Sequence, residues 1–174
     1  MSIDPGPALR LARLDDIAAL ARIQRDADTR FLAVGHPELA DGDAIPDDVA
    51  RRAIAEGRIV VAEVEGAVAG WVYMGRVDGE PCLGQLSVAV AQGRRGVGSA
   101  LVRAVIEQAR AADEASVVLN TQGDVAWNRA WFERFGFAVV ARDAASDALR
   151  SIERAQTSGG LDWTTRVHMR LTLR

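Results

Sequence analysis

Residues 86–109, LSVAVAQGRRGVGSALVRAVIEQA, limit what this chain can fold into more than any other stretch. A β-branched apolar run meets three glycines and two arginines within six residues, then becomes an amphipathic helical pattern. A strand ends, a glycine loop turns and a helix begins. The N-terminus of a helix presents N–H groups without intrahelical partners, together with the positive end of the macrodipole, and so suits a phosphate. Glycine lets backbone amides come close to an anion. Gly93, Arg94, Arg95, Gly96, Val97, Gly98 and Ser99 therefore describe a cradle for a phosphate or pyrophosphate. The plainer alternative is a turn that needs glycine for geometry alone, with its arginines solvated.

The rest of the chain supplies the frame. Residues 8–14 read as a short edge strand; Asp15 and Asp16 cap a helix carrying Ile17, Leu20, Ala21, Gln24, Ala27 and Phe31 at helical spacing. Residues 35–46, GHPELADGDAIP, read as an acidic loop, and Pro46 opens a second helix that stops at Gly57. Residues 58–77 form a hairpin turning at Glu65-Gly66. A second tight turn at Asp78-Gly79 leads into a third strand, CLGQLSVAV. The helix from Gly98 to Ala112 sets Leu101, Val105, Ala109 and Ala112 on one face. SVVLNT, WNRAWFERF and FAVVA then read as strand, helix and strand. Residues 142–165 are polar and read as a loop with one helical turn at most, and RVHMRLTL closes the chain as a strand.

At 174 residues this is about one domain, residues 1–174, able to bury roughly 70 % of its extended surface. A composition of 49 % hydrophobic and 26 % charged residues is that of a soluble enzyme, and a net charge of −3 argues against nucleic acid or an anionic membrane as partner. The opening MSIDPGPALR has neither the basic start nor the apolar core of a secretion signal. One cysteine, Cys82, forms no internal disulfide, and no cysteine–histidine spacing points to a metal. The expectation is a cytoplasmic protein, monomeric or homodimeric.

Two ligands compete for the cradle. A dinucleotide needs G-x-G-x-x-G and an acidic residue after the next strand. This chain has G-x-x-G-x-G, Leu101 where the last glycine would stand, and Leu119-Asn120 at the end of that strand. The P-loop signature is also missing, because no Gly-Lys-Ser/Thr follows. Strand, GRRGVG and helix instead resemble the acyl-CoA pyrophosphate loop of the GNAT superfamily of N-acyltransferases. Residues 128–137, NRAWFERFGF, are similar to that family's Asn-x-x-x-Tyr-x-x-x-Gly-Phe segment.

The resemblance implies an α/β fold of the α+β kind: a mixed, mostly antiparallel central sheet of about six or seven strands flanked by about four helices. It implies acetyl-CoA as donor and a primary amine of a small molecule or peptide as acceptor. Leu86, Ser87, Val88 and Val90 would offer their strand to pantetheine. Residues 93–99 would hold the pyrophosphate, while Asn128 and position 132 face the pantetheine arm. A backbone N–H near Val88 would polarise the thioester carbonyl. Gln85, Glu80 and His36 are the candidates for moving the amine proton. Two departures stand out: Gly93 occupies the family's first Arg/Gln position, and Phe132 replaces the tyrosine. A non-catalytic acyl-CoA sensor is therefore the second expectation, and a nicotinamide oxidoreductase the third. His168 is expected to point into a cleft or to solvent, Trp163 to border the acceptor, and the Trp127–Phe137 aromatics to pack a core.

Overall fold

The computed structural model describes residues 6–173. Part of the opening segment read against a secretion signal lies outside the described residues.

The described residues form seven strands and six helices. The strands are β1 (Ala8–Leu11), β2 (Ile59–Val64), β3 (Ala67–Val77), β4 (Glu80–Val88), β5 (Ser116–Gln122), β6 (Ala138–Val139) and β7 (Arg166–Thr172). The helices are α1 (Ile17–Asp28), α2 (Pro37–Ala40), α3 (Asp47–Ala55), α4 (Val97–Ala111), α5 (Ala126–Glu133) and α6 (Asp147–Ser158). The sheet order is β1-β2-β3-β4-β5-β7-β6. Pairing is antiparallel for β1–β2, β2–β3, β5–β7 and β6–β7, and parallel for β4–β5. A mixed, mostly antiparallel sheet with helices in its crossovers is the expected class.

The two tight turns form as their residues dictate. Glu65 and Gly66 take φ of 53° and 78°, and Asp78 and Gly79 take 51° and 78°. Left-handed φ at both central positions is the two-residue hairpin turn whose twist matches its strands. In β2–β3 the register slips between Ala62↔Gly70 and Glu63↔Val68, so Ala69 is an extra, bulged residue.

The chain forms two compact units, Met1–Met74 with Gln85–Val105, and Gly75–Gly84 with Ile106–Arg174. In the first, Leu20 and Ile23 of α1, Ala53 of α3, Ile59 and Val61 of β2 and Trp71 of β3 are fully buried together. The Trp71 indole N–H donates to the Leu20 carbonyl at 3.0 Å, satisfying the one polar atom this ring brings inside. In the second, Val117, Leu119, Phe137, Met169 and Leu171 are buried.

Several expectations give way. The first strand ends at Leu11, four residues of the acidic loop wind into α2, and the last short strand keeps only two residues. Ala112 is exposed, whereas Val102 and Ile106 join the buried face of α4. The largest change is α6, twelve residues of helix where a loop was expected, which raises the helices to six. Ser146 caps it, its hydroxyl accepting from the Leu149 N–H at 3.3 Å. Leu149 is buried and Ile152 half-buried, but the rest of the inward face is polar. Hydrophobic periodicity does not register a helix that sets a half-buried glutamate and glutamine against His168 and Trp163.

Candidate functional site

The donor loop belongs to the first unit. After β4 the chain makes one 3₁₀ turn, Val90–Gln92, and then reaches α4. Arg94 has φ 62° and Gly96 φ 81°, so a non-glycine residue is held left-handed beside a glycine that adopts this conformation freely. The first bond of α4 runs from the Ala100 N–H to the Gly96 carbonyl at 2.9 Å. The N–H groups of Val97, Gly98 and Ser99 come before any intrahelical acceptor, at the positive end of a fifteen-residue helix. Left-handed turn and open helix terminus together make a concave set of donors fit for a pyrophosphate. Arg95 braces the loop, giving a hydrogen bond to Gln92 Oε1 at 2.9 Å and standing 3.6 Å from Glu65.

The upstream edge of the expected cradle is already occupied. The Val90 N–H donates to Asp26 Oδ2 at 2.7 Å, and its carbonyl accepts from the Gly93 N–H at 3.1 Å. Val90 therefore has a turn to hold rather than a strand to offer, and the donors that precede any intrahelical acceptor are those of residues 97–99. Gly93 is not left-handed, with φ −59°. A Cβ there would lie 2.9 Å from the Arg30 guanidinium, so the missing side chain makes room for an arginine sent from the turn after α1. Asp26 and Arg30 thus fix the donor loop from more than sixty residues away, which no local spacing announces.

In β4, Gln85 Nε2 donates to the Ser87 hydroxyl at 3.0 Å, and Ser87 is 1 % exposed. Ser87 is thus a buried brace for Gln85. Gly70 lies beneath: a Cβ there would come within 2.9 Å of the Ser87 carbonyl and of the Val97 side chain. His36 stands at the start of α2, its Nδ1 2.8 Å from Glu38 Oε1, an arrangement that fixes ring and tautomer. Asp28, at the end of α1, was not singled out by the sequence; burial pushes its carboxyl up to about 6.

Glu80, Asn128 and Phe132 belong to the second unit. Glu80 is committed to other work. Arg170 grips it with two hydrogen bonds of 2.8 and 3.0 Å, and the Ser116 hydroxyl donates at 2.5 Å. Burial alone would raise this carboxyl, but these donors outweigh it and hold it below its ordinary range. A carboxylate so bound is a poor base. Asn128 is half-buried in the first turn of α5, its N–H closing a turn onto Val125 at 2.9 Å. Phe132 is 6 % exposed, edge-on to Trp131 at 4.9 Å and to Phe137 at 6.0 Å. The aromatic run packs as expected, apart from Trp127, which is 45 % exposed. Gly136 follows α5 with φ 92°, and a Cβ there would approach Leu171 at 3.1 Å, which accounts for the Gly-Phe pair.

His168 faces neither cleft nor solvent. It is 4 % exposed, with its ring centroid 4.5 Å from that of Trp163 and Nε2 3.1 Å from Glu153 Oε1 of α6. Burial lowers its pKa, partly countered by Glu153. Trp163 is buried too, its indole N–H donating to Gln156 at 3.1 Å. Both expectations for these residues missed α6, which brings the partners. Among the described residues no group of three or more His, Cys, Asp or Glu is placed to hold a metal, and no helix is long and apolar enough to cross a membrane.

In this mixed seven-stranded sheet the fourth strand leads through a glycine loop into a helix. The family model described as "Acetyltransferase (GNAT) family" matches residues 18–137, well over half of the chain. The protein belongs to the GNAT acetyltransferase family, whose common chemistry is acyl transfer. Solved structures share the fold at low identity. N-acetylglutamate synthase from Neisseria gonorrhoeae, complexed with coenzyme A and N-acetyl-glutamate, superposes with a TM-score of 0.72 at 16 % identity. That alignment covers 98 % of this chain and 36 % of the synthase, so the chain spans about a third of its length. Rv2747 from Mycobacterium tuberculosis, in complex with CoA and NLQ, gives 0.70 at 18 % identity over 97 % of this chain and 100 % of that one. The ribosomal-protein-S18-alanine N-acetyltransferase from Escherichia coli gives 0.66 at 16 % identity over 96 % and 94 %.

Proposed function

We propose that the protein transfers an acetyl group from acetyl-CoA to a primary amine of a small molecule or peptide, the amine attacking the thioester directly in a ternary complex. The observation that carries this reading is the run of N–H groups at residues 94–99 opening α4, in a chain of this family. Residues 94–99 hold the pyrophosphate. Leu86 and Val88 give backbone groups to pantetheine. Structures of similar fold bound to CoA support the donor, and an N-acetyl amino acid in one of them supports an amine acceptor.

The amine nitrogen bonds to the thioester carbon as the carbonyl oxygen takes up negative charge, stabilised by a backbone N–H near Val88. The C–S bond then breaks and CoA leaves as thiolate. An amine with pKa near 10 arrives as ammonium, so one proton must leave before attack. Gln85, held by Ser87, orients a water for this step. His36, held by Glu38, is the side chain able to accept the proton itself. Glu80 is left to its ion pair. Phe132 cannot protonate the thiolate, so that proton comes from water or from the attacking nitrogen; a thiol near pKa 8.5 tolerates this.

The test follows free-thiol release from acetyl-CoA with a panel of primary amines, and the mass of each acceptor afterwards. Amine-dependent release, matched one to one by acetylated amine, is expected. Tight CoA binding with no amine-dependent release would replace the enzyme by an acyl-CoA sensor, the reading that Phe132 favours.

A further inference from the structure

Arg166, at the first residue of β7, is a half-buried cation whose surroundings lack an anion. Its Nη2 donates to Asn120 Oδ1, and its guanidinium carbon lies 5.8 Å from the centroid of the Trp163 ring. Its Nε is sealed from water and has no hydrogen-bond partner, whereas Nη1 is unbonded yet not sealed. Among the described residues it has no ion-pair partner. The nearby acid Glu153 is turned to His168.

Other partly buried arginines are treated differently. Arg170, four residues on and on the same face of β7, has both oxygens of Glu80. Arg10 has Asp16 at 2.7 Å and Glu63 at 2.7 Å. A buried donor without a partner costs about 1–3 kcal/mol, and a buried charge without a counter-charge costs more. A guanidinium has five N–H donors in a fork that matches a carboxylate, and one of those at Arg166 is used. Asn120 faces this strand through the register Asn120↔His168 and Gln122↔Arg166, and its carbonyl holds the fork in place without neutralising it. Trp163 backs the planar group from the α6–β7 connection. The result is a positioned cation with an accessible edge and no internal anion.

We infer that Arg166, steadied by Asn120, recognises a carboxylate on the acceptor, which makes the substrate class an amino-acid-type amine. What the carboxylate belongs to rests on the acyl-transfer reading; the anion site itself does not. Binding is therefore measured apart from turnover. N-acetylglycine and its neutral counterpart N-acetylglycinamide are titrated against the CoA-loaded protein by calorimetry, and glycine and glycinamide are compared as acceptors. The expected result is at least tenfold tighter binding of N-acetylglycine than of the amide. Arg166→Gln should erase that difference while leaving CoA affinity unchanged. Should Arg166→Gln fail to fold, Asn120→Asp supplies a second arm. It gives the guanidinium an internal carboxylate, and should raise the melting temperature while abolishing the preference for N-acetylglycine.

Equal binding of acid and amide by the wild type, or a preference that persists in both variants, overturns the inference even where amines are acetylated. Selective, Arg166-dependent binding of N-acetylglycine with no turnover on any amine supports the anion site and counts against the enzyme alone.

Discussion

Glu80 and Asp28 are two carboxylates whose surroundings move them in opposite directions, and each has a consequence that pH reveals. Glu80, with Arg170 and Ser116 on its oxygens, is held below its ordinary value of 4.5. A group lowered on folding contributes stability above its unfolded pKa and loses it as pH falls through the folded one. Glu80→Gln should therefore cost about 1.5–3 kcal/mol near pH 7, the range for hydrogen bonds to charged groups, with the difference from wild type shrinking below about pH 4.5. Denaturant midpoints from pH 3.5 to 7 check this. A gap constant with pH would mean that the loss is one of shape and not of charge. Asp28 is the reverse. Burial raises it from 3.8 to about 6, so its contribution is complete below pH 3.8 and is lost as pH rises through 6. It makes no capping bond to the turn that follows, so an amide there forfeits nothing. Asp28→Asn should raise the melting temperature at pH 7.5 by the equivalent of roughly 1 kcal/mol or less, since partial exposure screens the charge, and should have no effect near pH 4. A lower melting temperature at pH 7.5 would reveal a partner that the carboxylate needs.

Among the elements, the loop into α4 separates two kinds of glycine. Gly96 is left-handed, and valine there opposes the backbone conformation that leads into the first residues of α4, the proposed anion site. Gly96→Val should weaken CoA at least tenfold, with a smaller loss for a pantetheine fragment lacking the pyrophosphate. Gly93 has an ordinary φ, and the methyl of Gly93→Ala meets the end of Arg30 at 2.9 Å, a flexible side chain that can shift, and the Val90 carbonyl at 3.2 Å, which needs to give by only a few tenths of an ångström. Near-wild-type CoA affinity is expected there. Calorimetric titration of both variants decides, and equal losses would shift the phosphate site upstream. This loop was legible in the sequence because it is local: three glycines, two arginines and a helix start fall within seven residues. The two left-handed hairpin turns were legible for the same reason. What stayed hidden depends on partners distant in the chain. Asp26 reaches Val90 across 64 positions and Arg170 reaches Glu80 across 90. α6 was missed because its inward face is completed by Glu153 and Gln156, half-buried polar residues that meet His168 and Trp163.

For the whole molecule, ligand binding is the test that reaches every part of the reading of the donor. A ligand that binds only the folded state stabilises it by about 2.7 kcal/mol at a hundred times its dissociation constant. For a chain of this size each kcal/mol moves the melting temperature by about 2–4 °C, so near-saturating acetyl-CoA should raise it by roughly 5–11 °C. NAD and NADP should leave it unchanged, because a dinucleotide fold places its first glycine turn after the opening strand of a βαβ unit and needs an acid at the end of the next strand. Here the loop follows a meander of three strands, β2 to β4, and β5 carries Asn120 at its fifth residue. CoA without the acetyl group should give most of the same rise, because the proposed grip at residues 94–99 is on the pyrophosphate. Pantetheine alone should give little of it. Melting curves with acetyl-CoA, CoA, pantetheine, NAD and NADP, each at matched concentration, read all of this in one experiment. A rise with NAD and none with CoA would turn the cradle over to a dinucleotide and remove the acyl donor. An equal rise with pantetheine and CoA would keep the donor class but move its grip from α4 to β4.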